Sequence, residues 1–433
     1  MQQQSPIADI RPSAIATYFG IGIVAVAVCD IPDYLGSLYL IARTVVGLAL
    51  LASVFLPVRK ALPVLLVLAI VGKDIVVPGD VHESQVFNTA SVWQMRFGPM
   101  NPSWIMFALV AIQAVKVRVL IFTLPVKLAL AWFITVPLIT GIAYGDFGYS
   151  HSANEFIIDL KFGMMLLASL ITFQSALRRE PSWARDALAL LVGVLLARFA
   201  ADLLYFMTDY GPQMSGVNRI SLDSTKGSVV FLAYFGVFMV IARRQYILGA
   251  IIGIASVLLV ITFGTRMLWV TFIIGAVVLM LLMARTWRAV AVLAVTIVLT
   301  TSGGWLLYRV KPDTARVMYL RSSTITEGRN PSGFAVGVES NLVSRIDPIR
   351  YGELINVLYT GGQRISILWG NGYGSYYRDK AVTFPTDLKN SFPEYSRFSG
   401  MYYRAHTYLV HVLFKHGLFG LILITSLWVL PLI

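Results

Sequence analysis

The chain has 433 residues, 57% of them hydrophobic and only 13% charged, where soluble domains average about 25% charged. That balance excludes an ordinary water-soluble globule, and the single cysteine, Cys29, excludes an intrachain disulfide. The net charge of +13 would suggest nucleic acid in a soluble protein, but the cytoplasmic loops of a membrane protein carry such an excess without any nucleic-acid partner. In chain order, the polar start MQQQSP reads as a short disordered tail. Apolar runs long enough to approach the roughly 20 residues of a bilayer-crossing helix then fall at 13–29, 34–56, 61–77, 102–115, 128–144, 157–177, 187–207, 227–242, 246–263, 267–284, 289–308 and 405–430. The stretch VAVCD at 26–30 resembles a lipoprotein processing site only faintly, and the first run is read as a retained helix.

These runs predict an all-α polytopic membrane protein of about twelve transmembrane helices. Three segments follow: a bundle over 1–308, a large loop domain over 309–404, and a last helix over 405–433. Orientation comes from Lys and Arg in the short loops. Arg59, Lys60, Lys116, Arg118, Lys127, Arg178, Arg179, Arg185, Arg243, Arg244, Arg285 and Arg288 all fall on one side. The alternate loops carry only Arg219, Lys226 and Arg266. Both termini are therefore expected in the cytoplasm and residues 309–404 on the outer side. That segment holds 13 Lys plus Arg against 8 Asp plus Glu. Long loops escape the topological charge rule, so the excess is either a surface for an anionic, sugar-bearing ligand or a solvated loop facing anionic lipid heads.

Several residues stand out as candidates. At 100° per residue, His406, Val410, Leu413, Gly417 and Gly420 fall on one helical stripe. Glycines there would let a neighbouring backbone approach and hold the histidine at the outer mouth of the bundle. Arg266, in the turn of ITFGTRMLWV, sits at the outer surface where no topological rule wants a cation; it either lines a cavity or snorkels to lipid phosphates. The run LWGNGYGSYY, with Gly370, Gly372 and Gly374, lacks the strand–turn–helix setting of a nucleotide site and reads as a tight turn. Arginines of the outer loop, chiefly Arg345 and Arg350 with Arg364, Arg378 and Arg404, offer the planar fork that matches phosphate oxygens. Within the spans, Arg198 and Asp202 are an i, i+4 pair that neutralises itself, while Arg43, Lys73 and Asp74 are cavity candidates. No D-x-D, Walker, H-E-x-x-H or Cys/His metal pattern is present.

Taken together, the many helices, the short arginine turn, the single large outer loop, the G-x-G-x-G segment and His406-Thr407-x9-Gly417-Leu418-Phe419-Gly420 resemble the bacterial O-antigen ligase and polysaccharide polymerase superfamily. The likeness covers residues 246–430. Thr407 departs from the Asn, Ser or Gln usual beside the histidine, and the family carries further helices after the motif. The resemblance implies a GT-C-like, metal-independent, inverting glycosyltransferase without a cofactor, in the bacterial inner membrane with its site facing the periplasm. Its donor would be a polyprenyl diphosphate-linked oligosaccharide, and its acceptor a second lipid-linked glycan or a lipid A core. His406 and Arg266 would be the catalytic pair. Arg345, Arg350, Arg404 and Lys73 would hold the diphosphate, and Gly417 and Gly420 would pack the last helix.

Diphosphate is a good leaving group, so the enzyme's task is to stabilise growing negative charge and align the attacking hydroxyl. His406 would either take the hydroxyl proton or, protonated, bind phosphate. A repeat-unit polymerase is favoured over a ligase because the basic outer segment suits long or acidic glycans. The rival from another class is a flippase or secondary transporter. No paired discontinuous helices in two repeats are visible to support it.

Overall fold

Wherever the structure describes them, the long apolar runs are helices. The computed structural model describes residues 11–72, 89–95, 102–117, 124–144, 150–180, 182–207, 213–214, 217–218, 226–243, 245–262, 272, 287–310, 312, 348–384, 389, 392, 394–405 and 408–429. In chain order the helices are α1 (Pro12–Cys29), α2 (Ser37–Phe55), α3 (Val58–Val71), α4 (Pro102–Val117), α5 (Leu124–Tyr144), α6 (Ser150–Arg179), α7 (Ser182–Met207), α8 (Lys226–Arg243), α9 (Tyr246–Thr262), α10 (Arg288–Val310), α11 (Pro348–Gln363), α12 (Glu394–Ser399) and α13 (Tyr408–Val429). Two-residue strands β1 (Gln213–Met214) and β2 (Val217–Asn218) pair antiparallel between α7 and α8. Proline opens α1, α4 and α11, where its missing N–H would have no helical partner in any case.

The protein is mainly helical, and among the described residues four helical stretches are long and apolar enough to cross a membrane: Pro12–Cys29, Ser37–Phe55, Lys127–Tyr144 and Arg185–Leu204. Shorter apolar helices cover Trp104–Val117, Ser228–Val237, Tyr246–Val260 and Leu409–Leu423. The expected span at 267–284 lies outside the described residues apart from Phe272. Val24 of α1 and Leu40, Ile41 and Leu48 of α2 are exposed, a pattern suited to a hydrocarbon solvent.

The chain divides into two compact units. One unit comprises Met1–Leu109 with Arg179–Ser323, the other Val110–Arg178 with Thr324–Ile433. The described residues beyond 323 thus group with α5, α6 and α13.

In the first unit, α7, α8 and α9 share a buried core that includes Phe199, Leu232, Ile252 and Leu259. Helices α8 and α9 meet backbone to backbone: a Cβ built on Gly236 would lie 2.7 Å from the amide nitrogen of Gly253, and one on Gly249 would lie 2.7 Å from the carbonyl of Gly236. Small residues spaced by four serve this close approach in lipid, where dispersion packing replaces the hydrophobic effect.

Arg198 of α7 is fully buried. It binds Asp202 one turn on (Nη2–Oδ1 2.6 Å) and Asp30 just past α1 (Nη1–Oδ1 2.8 Å). It also reaches the carbonyl of Val71 at 3.1 Å, in the last turn of α3, where helical carbonyls run out of partners. The i, i+4 pair expected from sequence is therefore part of a larger knot joining α1, α3 and α7. Arg43 is turned to its own helix, donating to the Tyr39 hydroxyl at 3.1 Å.

Candidate functional site

The last helix is not continuous. Gly417 adopts φ +67°, ψ −173° inside α13 and breaks it into two halves. This corner of φ/ψ space is essentially closed to any residue with a Cβ. The single helical stripe expected from His406 to Gly420 is accordingly interrupted at Gly417. A break at this depth orphans backbone groups on both sides, and each orphan must find a partner.

The partners come from the glycine run. The carbonyls of Phe414 and Lys415 accept the amides of Asn371 (2.8 Å) and Gly372 (3.0 Å). The amides of Leu418 and Phe419 donate to the carbonyls of Ile367 (3.0 Å) and Leu368 (3.1 Å). The carbonyl of His416 accepts the indole N–H of Trp132 at 3.3 Å. The bonds that the amides of Leu418 and Phe419 would have made to the carbonyls of Phe414 and Lys415 in a straight helix are thus replaced by bonds to segment 367–372, and the carbonyl of His416 turns to α5. At about 1 kcal/mol net each, the four backbone bonds weld the two segments together. Gly417 makes its close approach to the backbone of 368–370 rather than to another helix: a Cβ there would lie 2.4 Å from the Gly370 nitrogen and the Leu368 oxygen.

A proline in α5 is treated in the same way. Pro137 has no N–H to give to the carbonyl of Phe133, and the Tyr373 hydroxyl supplies the missing donor at 2.8 Å. The Tyr373 amide in turn donates to the carbonyl of Pro137 at 3.0 Å. Gly370, Gly372 and Gly374 all have positive φ. At Gly372 the added carbon would sit 2.0 Å from the Gly141 nitrogen, so the run fits only because it has no side chains there. The tight turn expected from sequence is instead a wedge held by α5, α6 and α13.

Buried charge completes the wedge. Asp159 of α6 accepts from the Gly374 amide (3.0 Å) and from Lys415 Nζ (2.7 Å). Lys415 also donates to the carbonyl of Ser375 at 2.8 Å. His411 Nε2 lies 3.8 Å from the other oxygen of Asp159, and no hydrogen-bond partner is found for its Nδ1. His416 lies between Phe133 and Tyr373, tilted to the first ring at 4.3 Å and edge-on to the second at 5.5 Å.

Towards the N-terminal end of α13, Arg404 grips Glu155 with a two-pronged contact (Nε–Oε2 2.9 Å, Nη2–Oε1 3.2 Å), and Tyr395 donates to the same carboxylate at 2.6 Å. Burial, with the hydrogen bond to Glu155 and its charge, pushes the Tyr395 phenol up. Burial, followed by the charge of Asp379, raises the Tyr402 phenol to about 12. Arg404 remains half exposed, but its charge is already balanced by Glu155, which weakens it as a holder of diphosphate. Arg364 and Arg378 both lie 5.6 Å over the ring of Tyr376, and Arg364 lies 5.9 Å over Tyr144. Tyr376 continues to Tyr403 at a ring distance of 5.8 Å, and Tyr403 to Tyr395 at 6.1 Å. Tyr376 with the two guanidiniums forms an aromatic and guanidinium shelf, and the guanidinium fork matches phosphate oxygens, while the Tyr403 ring behind it is buried.

Of the expected site residues, Arg404, Gly417 and Gly420 are brought together in one unit. Gly420 is buried and stands where a Cβ would meet Trp132 Nε1 at 3.0 Å. His406, Arg266, Arg345 and Lys73 lie outside the described residues, and Arg350 is described only as backbone in α11. Sequence reasoning missed Asp159, Lys415 and Glu155. Opposite charges within two apolar runs were the available signal. Among the described residues, no group of three His, Cys, Asp or Glu side chains is placed to hold a metal. Compared with protein-family models, curated proteins and solved structures, the chain matches none.

Proposed function

We propose that the protein is a membrane-embedded glycosyltransferase. It moves a glycan from a polyprenyl diphosphate carrier to an acceptor sugar at the outer face of the bacterial inner membrane. In this reading the chain crosses the membrane about twelve times, and 309–404 caps the site on the periplasmic side. His406 and Arg266 carry the chemistry, with Arg345, Arg350, Arg404 and Lys73 around the diphosphate. The acceptor is a further lipid-linked repeat unit, making the protein a polymerase; a ligase would use a lipid A core instead.

The observation that best supports this reading is the welding of the glycine run 370–374 to the glycine break of α13. These are two of the separate stretches on which the family resemblance rests, and nothing in their sequence spacing requires them to meet. The shelf of Arg364, Arg378 and Tyr376 beside them suits a sugar diphosphate. The test is genetic complementation. Cells lacking the chain should lose glycan longer than one repeat unit. The wild type should restore it, while His406→Ala and Arg266→Ala should insert at normal level and restore none. Arg266→Lys should also fail, because a point charge does not reproduce the fork. Restoration by His406→Ala removes that residue from the mechanism. Free polymer not joined to lipid A core in the deletion strain converts the polymerase into a ligase.

A further inference from the structure

We propose that residues 364–375 re-enter the bilayer and present Ile365, Ile367 and Leu368 to lipid acyl chains, although they belong to the segment whose sequence places it in water. The inference rests on the membrane reading of the chain, and specifically on α5 as a crossing helix.

Depth can be measured along α5. Its apolar stretch Lys127–Tyr144 has 18 residues, about 27 Å at 1.5 Å per residue, against a hydrocarbon thickness of about 30 Å. Tyr144, at one end, donates its hydroxyl to the carbonyl of Arg364 at 3.2 Å, so the segment starts level with that end. Tyr373 then bonds Pro137 and Phe133, about 10 and 16 Å further along the same helix. Phe133 lies in the middle third of the stretch. The contacts with Leu418 and Phe419 of α13 fall ten and eleven residues beyond its start at Tyr408. The chain returns with Tyr377, which pairs with Tyr402.

Irregular backbone at such a depth is tolerated only when its polar groups are satisfied by protein, and eight amides of the segment, including all from 370 to 374, have a protein partner. The amides of Arg364, Ile365, Ser366 and Gly370 bond within the segment or to the end of α11; those of Asn371, Gly372 and Tyr373 bond to α13 and α5; that of Gly374 bonds to Asp159. The Asn371 side chain accepts from Ser366 Oγ at 3.0 Å. A loop designed for water would not need this accounting.

The outward face is apolar instead. Ile365 is 78% exposed, Ile367 41% and Leu368 43%, and next to them on α13 Leu418 and Phe419 are exposed as well. The backbone bonds from Leu418 and Phe419 to residues 367 and 368 make this one continuous patch. Its occupant is the same solvent that covers the outside of α13.

Single-cysteine variants Ile365→Cys, Ile367→Cys and Leu368→Cys, in a Cys29→Ala background, would be spin-labelled and reconstituted in phosphatidylethanolamine–phosphatidylglycerol vesicles. Ile41→Cys on α2 serves as the lipid control and Lys380→Cys as the water control; both native side chains are exposed. The expected result is frequent collision with dissolved oxygen and loss of collision with a water-soluble nickel chelate at all three positions, as at Ile41. Nickel access equal to that at Lys380, with Ile41 still shielded, overturns the re-entrant segment alone. Nickel access at Ile41 as well overturns the membrane reading together with it.

Discussion

Replacing Gly417 with alanine tests whether the break in α13 is built into the fold. The backbone there, φ +67° and ψ −173°, costs a residue with a Cβ about 1–3 kcal/mol. The new carbon would also lie 2.4 Å from two backbone atoms of the glycine run, and backbone cannot swing aside as a side chain can. Either the segments separate and four backbone hydrogen bonds of about 1 kcal/mol each are lost, or α13 straightens and the amides of Asn371 and Gly372 are left unpaired in a buried site. The first route costs about 5–7 kcal/mol and the second about 2–6 kcal/mol. Gly304→Ala in α10, where the added carbon has no neighbour within 4 Å, should instead gain up to about 1 kcal/mol from helix propensity. Reversible unfolding of the two variants in mixed micelles, titrated with sodium dodecyl sulfate and followed by circular dichroism, measures the difference. If Gly417→Ala unfolds within about 1 kcal/mol of wild type, the welded break does not hold the unit together and the reasoning fails.

Lys415→Met should destabilise by about 3–5 kcal/mol in the same titration, since it leaves the Asp159 carboxylate buried without its cation. Adding Asp159→Asn should recover part of the loss, and no recovery would show that the two residues do not act as a pair. Arg198→Leu should cost a similar amount, about 3–5 kcal/mol, by stranding Asp30 and Asp202; a near-neutral result would mean that one of the carboxyls already carries a proton. The Tyr402 phenol, raised to about 12 from the ordinary 10, contributes stability that is complete below pH 10 and is lost as pH rises through about 12. Tyrosinate absorbance should show a late-ionising phenol that disappears in Tyr402→Phe, and a titration unchanged by that substitution would contradict the assignment.

The helices were legible because lipid demands long apolar runs and gives each one visible ends; α1, α2, α5 and α7 follow directly from composition. Arg198 and Asp202 were legible as a pair because both lie on one helix, whereas Asp30 and Val71 joined them from elsewhere in the chain. From sequence the glycine run reads as a turn and the glycines of α13 as a packing stripe. What spacing alone does not carry is that Gly370 and Gly417 serve one another. That contact depends on orphaned carbonyls and amides, which exist only once the helix has broken. Lys415, Asp159 and Glu155 escaped notice because each looks like an isolated charge within an apolar stretch, and its partner lies more than 200 residues away.

The central claim is that a glycan leaves a lipid diphosphate here. Purified wild-type protein in detergent, with no membrane to transport across, should be given a defined polyprenyl diphosphate oligosaccharide, alone and then with lipid A core. The account predicts a joined glycan and released polyprenyl diphosphate in equal amounts, with neither formed by His406→Ala. Donor recovered intact under both conditions would contradict it.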